Sequence, residues 1–435
     1  MQTVDYNVGV KDIAVIGAGY VGLTTAACFA KMGHHVVLSE IDRNKADLVR
    51  SGISPIFEAG LSELLSDVVS SGHLSVTEDN VEAASNSDLI FICLPTPQDI
   101  DGSANTDVVF DVIGSISSAL TSRSVLITKS TMPIGSVKKI QNLVRDTGAT
   151  VAANPEFLRE GTAVQDTLHP ERVVIGCDDR NSADRIAKLY VSLISQIVIT
   201  DPQSAELIKY ASNAFLATKV TFINSIARLC DAVGADIASV SQALGSDSRI
   251  GNKFLTPGPG WGGSCFPKDT SELLHLSAEN GHSFRLLDAV ISGNLEHQLE
   301  IVRQIATLLS ENGGKSVAIL GLTFKAGTDD LRDSPALFIV QQLLNSGFII
   351  NAYDPTVSTK SNPSLNSVNI CSSVKQAAQT SDLIVVLTEW PEFSELDPSE
   401  LTDVTVGRHI FDTRGIVDKE KWTNSGFTVK ILGRP

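Results

Sequence analysis

Residues 11–42, KDIAVIGAGYVGLTTAACFAKMGHHVVLSEID, constrain this chain more than any other stretch. A β-branched run leads into a glycine turn, then a helix-length segment of small residues closed by Gly33, then a second β-rich run. That order is one βαβ unit. Residues 13–30 carry no charge, but three glycines and two threonines interrupt them and no basic n-region precedes them. Strand, turn and helix therefore fit better than a membrane helix or a signal peptide.

Further strand-like runs, SDLIFICLP (87–95) and SVLITKS (124–130), alternate with helix-length segments, the pattern of a parallel sheet covered on both faces. The C-terminal third repeats it with SVAILGLTF (316–324), a helix beginning at DSPALFIVQQLLNSG, then FIINAYDP and SDLIVVLTEW (381–390). Ser334 suits the cap of that helix, Pro335 its first turn and Gly347 its end. SDLIFICLP and SDLIVVLTE echo each other weakly and fall at the same place in their series. The fold class is α/β, with two doubly wound, Rossmann-like parallel-sheet domains. Between them, residues 204–234 read as a single long helix ended by Gly234. At about thirty residues, or ~45 Å, it is long enough to bridge domains or join subunits. The expected division is 1–200, a nucleotide-binding domain; 201–300, a central helical domain; and 301–435, a second sheet domain. No low-complexity tract marks a flexible linker, so close packing with a cleft between domains is expected.

At 435 residues, 43% hydrophobic and 19% charged, the composition is globular and sufficient for two or three cores. A formal charge of -16 argues against a nucleic acid or an anionic membrane as partner, and an anionic small substrate would need its own cluster of Lys and Arg. The six cysteines, at 28, 93, 177, 230, 265 and 371, form no CxxC pair. They signal neither a zinc site nor a redox dithiol, and no metal is expected; a reduced, cytoplasmic chain is the simplest reading.

Gly17, Gly19 and Gly22 form a GxGxxG that follows a strand and opens a helix, with Glu40 at the end of the next strand. Such glycines admit a pyrophosphate to the helix N-terminus, and the acid binds a ribose diol while repelling a 2'-phosphate, which favours NAD over NADP. The plainer alternative is a tight turn with no ligand. Cys265 stands in GPGWGGSCFPKD. A lone cysteine is ordinarily a small buried hydrophobe, but Gly258, Gly260, Gly262 and Gly263 build a loop that a ligand can approach, and Lys268 could favour the thiolate. Asp269 could equally cap a helix over TSELLHLSAENG. Lys209 and Asn213 lie four apart on one helix face, either solvated or, given their apolar neighbours, enclosed. Glu156 and Glu160 in NPEFLREG are candidates for a general base or for cofactor contacts, against an exposed turn feeding a helix.

Taken together, GAGYVGL, STMPIG, NPEFLREG, SRIGNKFLTPGPGWGGSCFPKD and LGLTFKAGTDDLRDSP resemble the UDP-glucose/GDP-mannose 6-dehydrogenase family, in its order and over nearly the whole chain. The resemblance implies oxidation of a nucleotide sugar's C6 alcohol to a carboxylate with NAD in two steps, through a covalent thiohemiacetal and thioester on Cys265. It implies that Lys209 and Asn213 stabilise the oxyanion, that Asp269 assists proton transfer and supports Lys209, and that Glu156 acts with Thr131 on the hydrolytic water. An anionic tetrahedral centre needs such fixed donors in a dry site. Cofactor contacts carry over to Gly17, Gly19, Tyr20, Val21, Gly22, Glu40, Lys45, Thr96, Ser130, Glu160 and Arg332. Substrate contacts carry over to Phe157, Leu158, Arg249 (from a partner subunit), Phe254, Leu255, Gly262, Lys325 and Arg414, the bases holding a diphosphate. A homodimer built on the long helix is implied as well.

Two departures stand out: Glu40 where the family usually has Asp, and Trp261 where Tyr or Phe is common. SRIGNKFL and GPGWGGSCFPKD favour the UDP-glucose branch over GDP-mannose. UDP-N-acetylmannosamine relatives typically have His before the cysteine and lack the Phe-Pro-Lys-Asp ending. A different class, a nucleotide-binding regulatory protein without turnover, has no use for the set Cys265, Lys209, Asn213 and Asp269.

Overall fold

The computed structural model describes residues 11–193, 196–358 and 365–435. The chain divides into two compact units, Met1–Ser212 and Asn213–Pro435. The first holds strands β1 (Asp12–Ile16), β2 (His35–Ser39), β3 (Leu74–Thr77), β4 (Leu89–Ile92), β5 (Val125–Thr128), β6 (Thr150–Ala153), β7 (Arg172–Gly176) and β8 (Gln196–Thr200). They lie in the order β3-β2-β1-β4-β5-β6-β7-β8. Neighbours are parallel, Ile13 facing both Val36 and Leu89, except at one pair. There β6 meets β7 antiparallel, through the single pairing Ala153↔Gly176, within a sheet that is otherwise parallel as expected. Gly176 also lets the start of the long helix approach, since a Cβ there would come within 2.4 Å of the Ala205 side chain.

The second unit holds β9 (Ser316–Leu320), β10 (Ile349–Tyr353), β11 (Asn369–Ile370), β12 (Leu383–Val386), β13 (His409–Asp412) and β14 (Thr428–Ile431), ordered β11-β10-β9-β12-β13-β14 and all parallel. The weak sequence echo now has a meaning: β4 pairs with β1 as β12 pairs with β9. Each is the strand laid on the far side of its sheet's first strand, where the winding reverses.

Strand alternation divides the side chains between two cores in each unit. Ile13, Val15, Leu89, Phe91 and Ile127 pack on one face of the first sheet, and Ala14, Ile16, Ile90, Ile92 and Leu126 on the other. Val317, Ile319, Leu383 and Val385 are separated from Ala318, Leu320, Ile384 and Val386 in the same way. Each Val, Leu, Ile or Phe among them contributes about 1.5–3 kcal/mol when fully buried, which explains why these strands read as continuous apolar runs.

The helix Pro335–Asn345 begins as expected, with Ser334 Oγ accepting from the Ala336 and Leu337 amides, and Gly347 follows its end at φ +83°. The long helix runs Pro202–Val233, and the division between the units falls within it. Among the described residues no helix is long and apolar enough to cross a membrane.

Candidate active site

In the N-terminal unit the chain leaves β1 through Gly17, at φ +99°, and enters the helix Tyr20–Lys31. A Cβ on Gly22 would sit 1.8 Å from the Gly17 carbonyl oxygen, so the turn closes only with glycine there. Gly19 precedes the helix with no side-chain cap, leaving the first-turn amides for a ligand. Glu40 is aimed at this turn, its Oε2 accepting from the Ala18 amide at 3.1 Å and its Oε1 from the Asp42 amide at 2.9 Å. Each oxygen keeps a lone pair for a ribose hydroxyl. A turn that admits no Cβ at Gly17 or Gly22, an uncapped helix end and a fixed carboxylate together fit NAD.

The other predicted cofactor residues of this unit surround the same strand ends or flank them. Tyr20 Oη donates to the Phe57 carbonyl, and Val21 is partly buried. Lys45 is exposed on the helix Arg43–Arg50, which Asp42 caps by accepting from the Asn44 and Lys45 amides. Past β4 and β5, Thr96 Oγ1 donates to the Thr131 carbonyl at 3.0 Å and Ser130 Oγ to the Leu94 carbonyl at 2.6 Å. Those two bonds fasten the loops together. Glu160 is half-buried.

Glu156 and Lys209 form a buried pair, Nζ to Oε1 at 2.7 Å, with side chains 7% and 4% exposed. The readings of an exposed turn and of a solvated helix face are thereby excluded. Glu156 Oε2 also accepts from the Leu158 amide at 2.6 Å. Burial pushes the carboxyl up, but the charge and hydrogen bond of Lys209 outweigh it and hold Glu156 below the usual carboxylate range. The Phe157 ring lies 4.1 Å from the Arg172 guanidinium and 5.5 Å from Lys209 Nζ.

In the C-terminal unit Asn213 Nδ2 donates to Asp269 Oδ2 at 2.6 Å. Asp269 does not cap a helix: the helix begins at Phe266, with Cys265 at its N-cap, and Asp269 lies wholly buried in its first turn. The reason is Pro267, whose fixed φ favours the first turn and starts the helix earlier than TSELLHLSAENG suggested. Lys268 Nζ meets Asp269 Oδ1 at 2.7 Å, so its ammonium is engaged by that acid. The positive element that the fold sets at Cys265 is the helix N-terminus, which favours a thiolate. Of the six cysteines, five are buried and Cys265 alone is partly exposed.

The glycine approach is pinned from several sides. The Gly258 amide donates to Asn224 Oδ1 at 2.9 Å, and its carbonyl accepts from His297 Nε2 at 2.7 Å. Asn294 bonds both the amide and the carbonyl of Trp261, whose Nε1 donates to Thr221 Oγ1 at 2.8 Å. A Cβ on Gly262 would lie 1.9 Å from the Asp333 carbonyl oxygen, and one on Gly258 2.8 Å from Arg414 Nη1. The glycines thus serve close packing of this loop against its neighbours, and hydrogen bonds hold it in place.

Of the predicted substrate residues here, Phe254 takes a left-handed φ of 62° and Leu255 is buried. Arg414 Nε bonds the Leu387 carbonyl at 2.9 Å. Lys325 Nζ lies 5.5 Å from the Phe324 ring centre. Arg249 is exposed and held by Asp247 at 2.6 Å; Arg332, predicted as a cofactor contact, is likewise held by Asp330 at 2.7 Å.

Asn224, Thr221, Asn294 and His297, which hold the cysteine loop, were not singled out from sequence. Asn294 and His297 had a signal, polar residues three apart on the buried face of the amphipathic helix Arg285–Glu311. Among the described residues no group of three His, Cys, Asp or Glu side chains could hold a metal ion.

Residues 11–194 match the model for the UDP-glucose/GDP-mannose dehydrogenase family, NAD binding domain; residues 203–296 match its central domain and 318–419 its UDP binding domain. The chain is similar to the UDP-glucose 6-dehydrogenase TuaD of Bacillus subtilis (strain 168), with 39% identity covering 98% of this chain and 94% of the relative. It is 40% identical to a UDP-glucose 6-dehydrogenase of Rhizobium meliloti (strain 1021), covering 97% and 99%. Among solved structures, a UDP-glucose dehydrogenase from Pyrobaculum islandicum covers 100% of both chains at 31% identity and a TM-score of 0.90.

Proposed function

The chain belongs to the UDP-glucose/GDP-mannose dehydrogenase family, and from that premise we propose that it oxidises the C6 alcohol of UDP-glucose to the carboxylate of UDP-glucuronate, with NAD as cofactor. The observation that carries the mechanism is Cys265, the one partly exposed thiol, set at a helix N-terminus on a closely packed glycine loop in the unit that holds the Asn213–Asp269 pair.

Bound NAD supplies the hydride acceptor for each of two oxidations at C6. The chain's residues do the rest. Asn213 and Lys209 donate to the C6 oxygen as negative charge develops on it, and Asp269 takes up the alcohol proton while orienting Asn213 through their hydrogen bond. Cys265 Sγ bonds to the aldehyde carbon, and the carbonyl oxygen gains a proton to give a thiohemiacetal. Its oxidation leaves a thioester on Cys265. Water then adds to C6, giving its proton to Glu156 with Thr131 orienting it; the C–S bond breaks, the thiolate leaves and the acid is released.

The glycine turn with Tyr20, Val21, Glu40, Lys45, Thr96, Ser130, Glu160 and Arg332 serves the cofactor. Phe157, Leu158, Arg249, Phe254, Leu255, Gly262, Lys325 and Arg414 serve the nucleotide sugar. The functional division is 1–200 for NAD, 201–300 for the thiol loop and long helix, and 301–435 for the UDP moiety. A homodimer on the long helix, with Arg249 reaching the neighbouring site, and a cytoplasmic setting complete the proposal. The dimer is supported by Phe215, Phe222, Leu229 and Val233, exposed apolar residues that recur on that helix at roughly heptad spacing.

The test is the NADH yield from limiting UDP-glucose with excess NAD. Two NADH per sugar with UDP-glucuronate formed is the expected result. No NADH with UDP-glucose but turnover of GDP-mannose or an N-acetylated UDP-sugar would overturn the substrate assignment, and binding without turnover of any of them would favour a regulatory protein.

A further inference from the structure

Lys129, immediately after β5, is a buried side chain with no part in the scheme above. Lysine is almost never fully buried unless paired. Its Nζ donates to Asn154 Oδ1 at 3.3 Å and lies 5.9 Å from the Tyr190 ring centre. Tyr190 Oη donates to the same oxygen at 2.6 Å, and Asn154 Nδ2 donates to the Val174 carbonyl at 2.8 Å. The amide is therefore fixed with its oxygen toward the lysine. One amide oxygen is thin compensation for an ammonium withdrawn from water.

The ionisable groups that face Lys129 are Cys93 past β4, Tyr190 on the helix Arg180–Tyr190, Glu156 in the loop after β6 and Lys209 on the long helix. Burial pushes the Cys93 thiol up to about 12 and the Tyr190 phenol up as well, so both are neutral at pH 7. Glu156 is the one anion of this set: Lys209 Nζ lies 2.7 Å from it, and Lys129 is tied to Asn154, two residues before it.

We propose that Lys129 is a positioning residue for Glu156: together with Lys209 it surrounds the carboxylate with positive charge, so that Glu156 meets the hydrolytic water as a base, while Asn154 and Tyr190 aim the Lys129 side chain. This rests on the role given to Glu156 above. Lys129 forms no bond to the substrate; the water proton passes to Glu156 as the water oxygen bonds to C6. The electrostatics of the carboxyl agree, since for Glu156 burial is outweighed by Lys209 with a further lowering from Lys129; burial pushes Lys129 down, and Glu156 opposes that by favouring the ammonium.

The experiment compares Lys129→Met and Lys129→Arg in the full chain, with UDP-glucose and NAD. Lys129→Met should move the acid limb of the kcat profile upward by about half a pH unit or more, because an acid that loses a nearby cation protonates more readily. It should leave kcat/KM for UDP-glucose within about twofold and let a Cys265 acyl adduct accumulate in intact-mass spectra of quenched samples, since only hydrolysis is slowed. Lys129→Arg should restore the limb. An unmoved limb in a folded Lys129→Met protein, or an Arg variant no better than Met, overturns the proposal. If Lys129→Met does not fold, Asn154→Asp carries the test, because an anion placed beside the ammonium should also raise the limb, and no rise there is refutation. Carboxyl 13C titration, with the Glu156 signal assigned by its loss in Glu156→Gln, gives an activity-free reading. Wild-type protein that releases no NADH with UDP-glucose would sink the functional reading, and the carboxyl titration would still decide Lys129.

Discussion

Replacing Lys209 by Met removes the cation 2.7 Å from the buried Glu156 carboxylate while keeping most of the side-chain volume. Breaking a buried ion pair from one side costs about 3–5 kcal/mol, because the remaining charge is left uncompensated. The Leu158 amide and Lys129 still attend Glu156, which puts the expected loss near the lower end, about 3 kcal/mol. Glu156→Gln should cost a similar amount, by stranding the ammonium. The double variant carries neither charge, so its loss should fall short of the sum by about 1–3 kcal/mol. The loss has a pH dependence of definite sign. The folded carboxyl lies below its ordinary value of 4.5, so the pair's contribution is fully present above that value and disappears as pH falls through the lowered one. Urea unfolding at pH 7 and at acid pH, followed by far-UV circular dichroism, measures all four proteins. Tryptophan fluorescence is unsuitable, because Trp261, Trp390 and Trp422 all lie in the C-terminal unit. Additivity of the two single losses within about 0.5 kcal/mol at pH 7 would refute the argument.

Cys265→Ser should reduce net formation of the acid by at least about a thousandfold, measured as the initial rate of UDP-glucuronate production, because a hydroxyl at that position lacks the thiolate. Gly22→Ala should weaken NAD binding at least about tenfold by calorimetry, since its Cβ would fall 1.8 Å from the Gly17 carbonyl oxygen and force the turn open. His297 is pushed down from 6.5 to about 4 by burial, so the fold loses stability as pH falls from 6.5 toward 4, where the unfolded chain takes up a proton the folded one refuses. Melting temperatures of His297→Gln between pH 7 and pH 4.5 should therefore decline less steeply than those of the parent.

The fold was legible where local pattern and global role agree. The glycine turn, the long helix and the Ser334-Pro335 cap stand in the structure at the expected places, since each is fixed by backbone demands within a few residues. The antiparallel join of β6 and β7 was not legible, because one pairing between distant segments leaves no periodicity to read. The alternative of Asp269 as a helix cap fails, because Pro267 starts the helix a turn earlier and places Asp269 inside it. Within the site, single residues announced themselves and their supports did not. Nothing in NPEFLREG indicates that Glu156 lies against Lys209, 53 residues onward, nor in SVLITKS that its lysine is enclosed.

The uneven exposure of the six thiols turns Cys265 into an analytical handle. Cys28 and Cys93 are buried and pushed up to about 12, and Cys177, Cys230 and Cys371 are raised as well, so none of the five presents an accessible thiolate near neutral pH. An alkylating reagent applied to the native protein thus counts chains, one equivalent each, and its consumption in the presence of a sugar nucleotide reports occupancy without any turnover. The same asymmetry concentrates oxidative damage on one atom: peroxide reaching the fold meets Cys265 Sγ first, and the chain loses its nucleophile while every buried core stays intact.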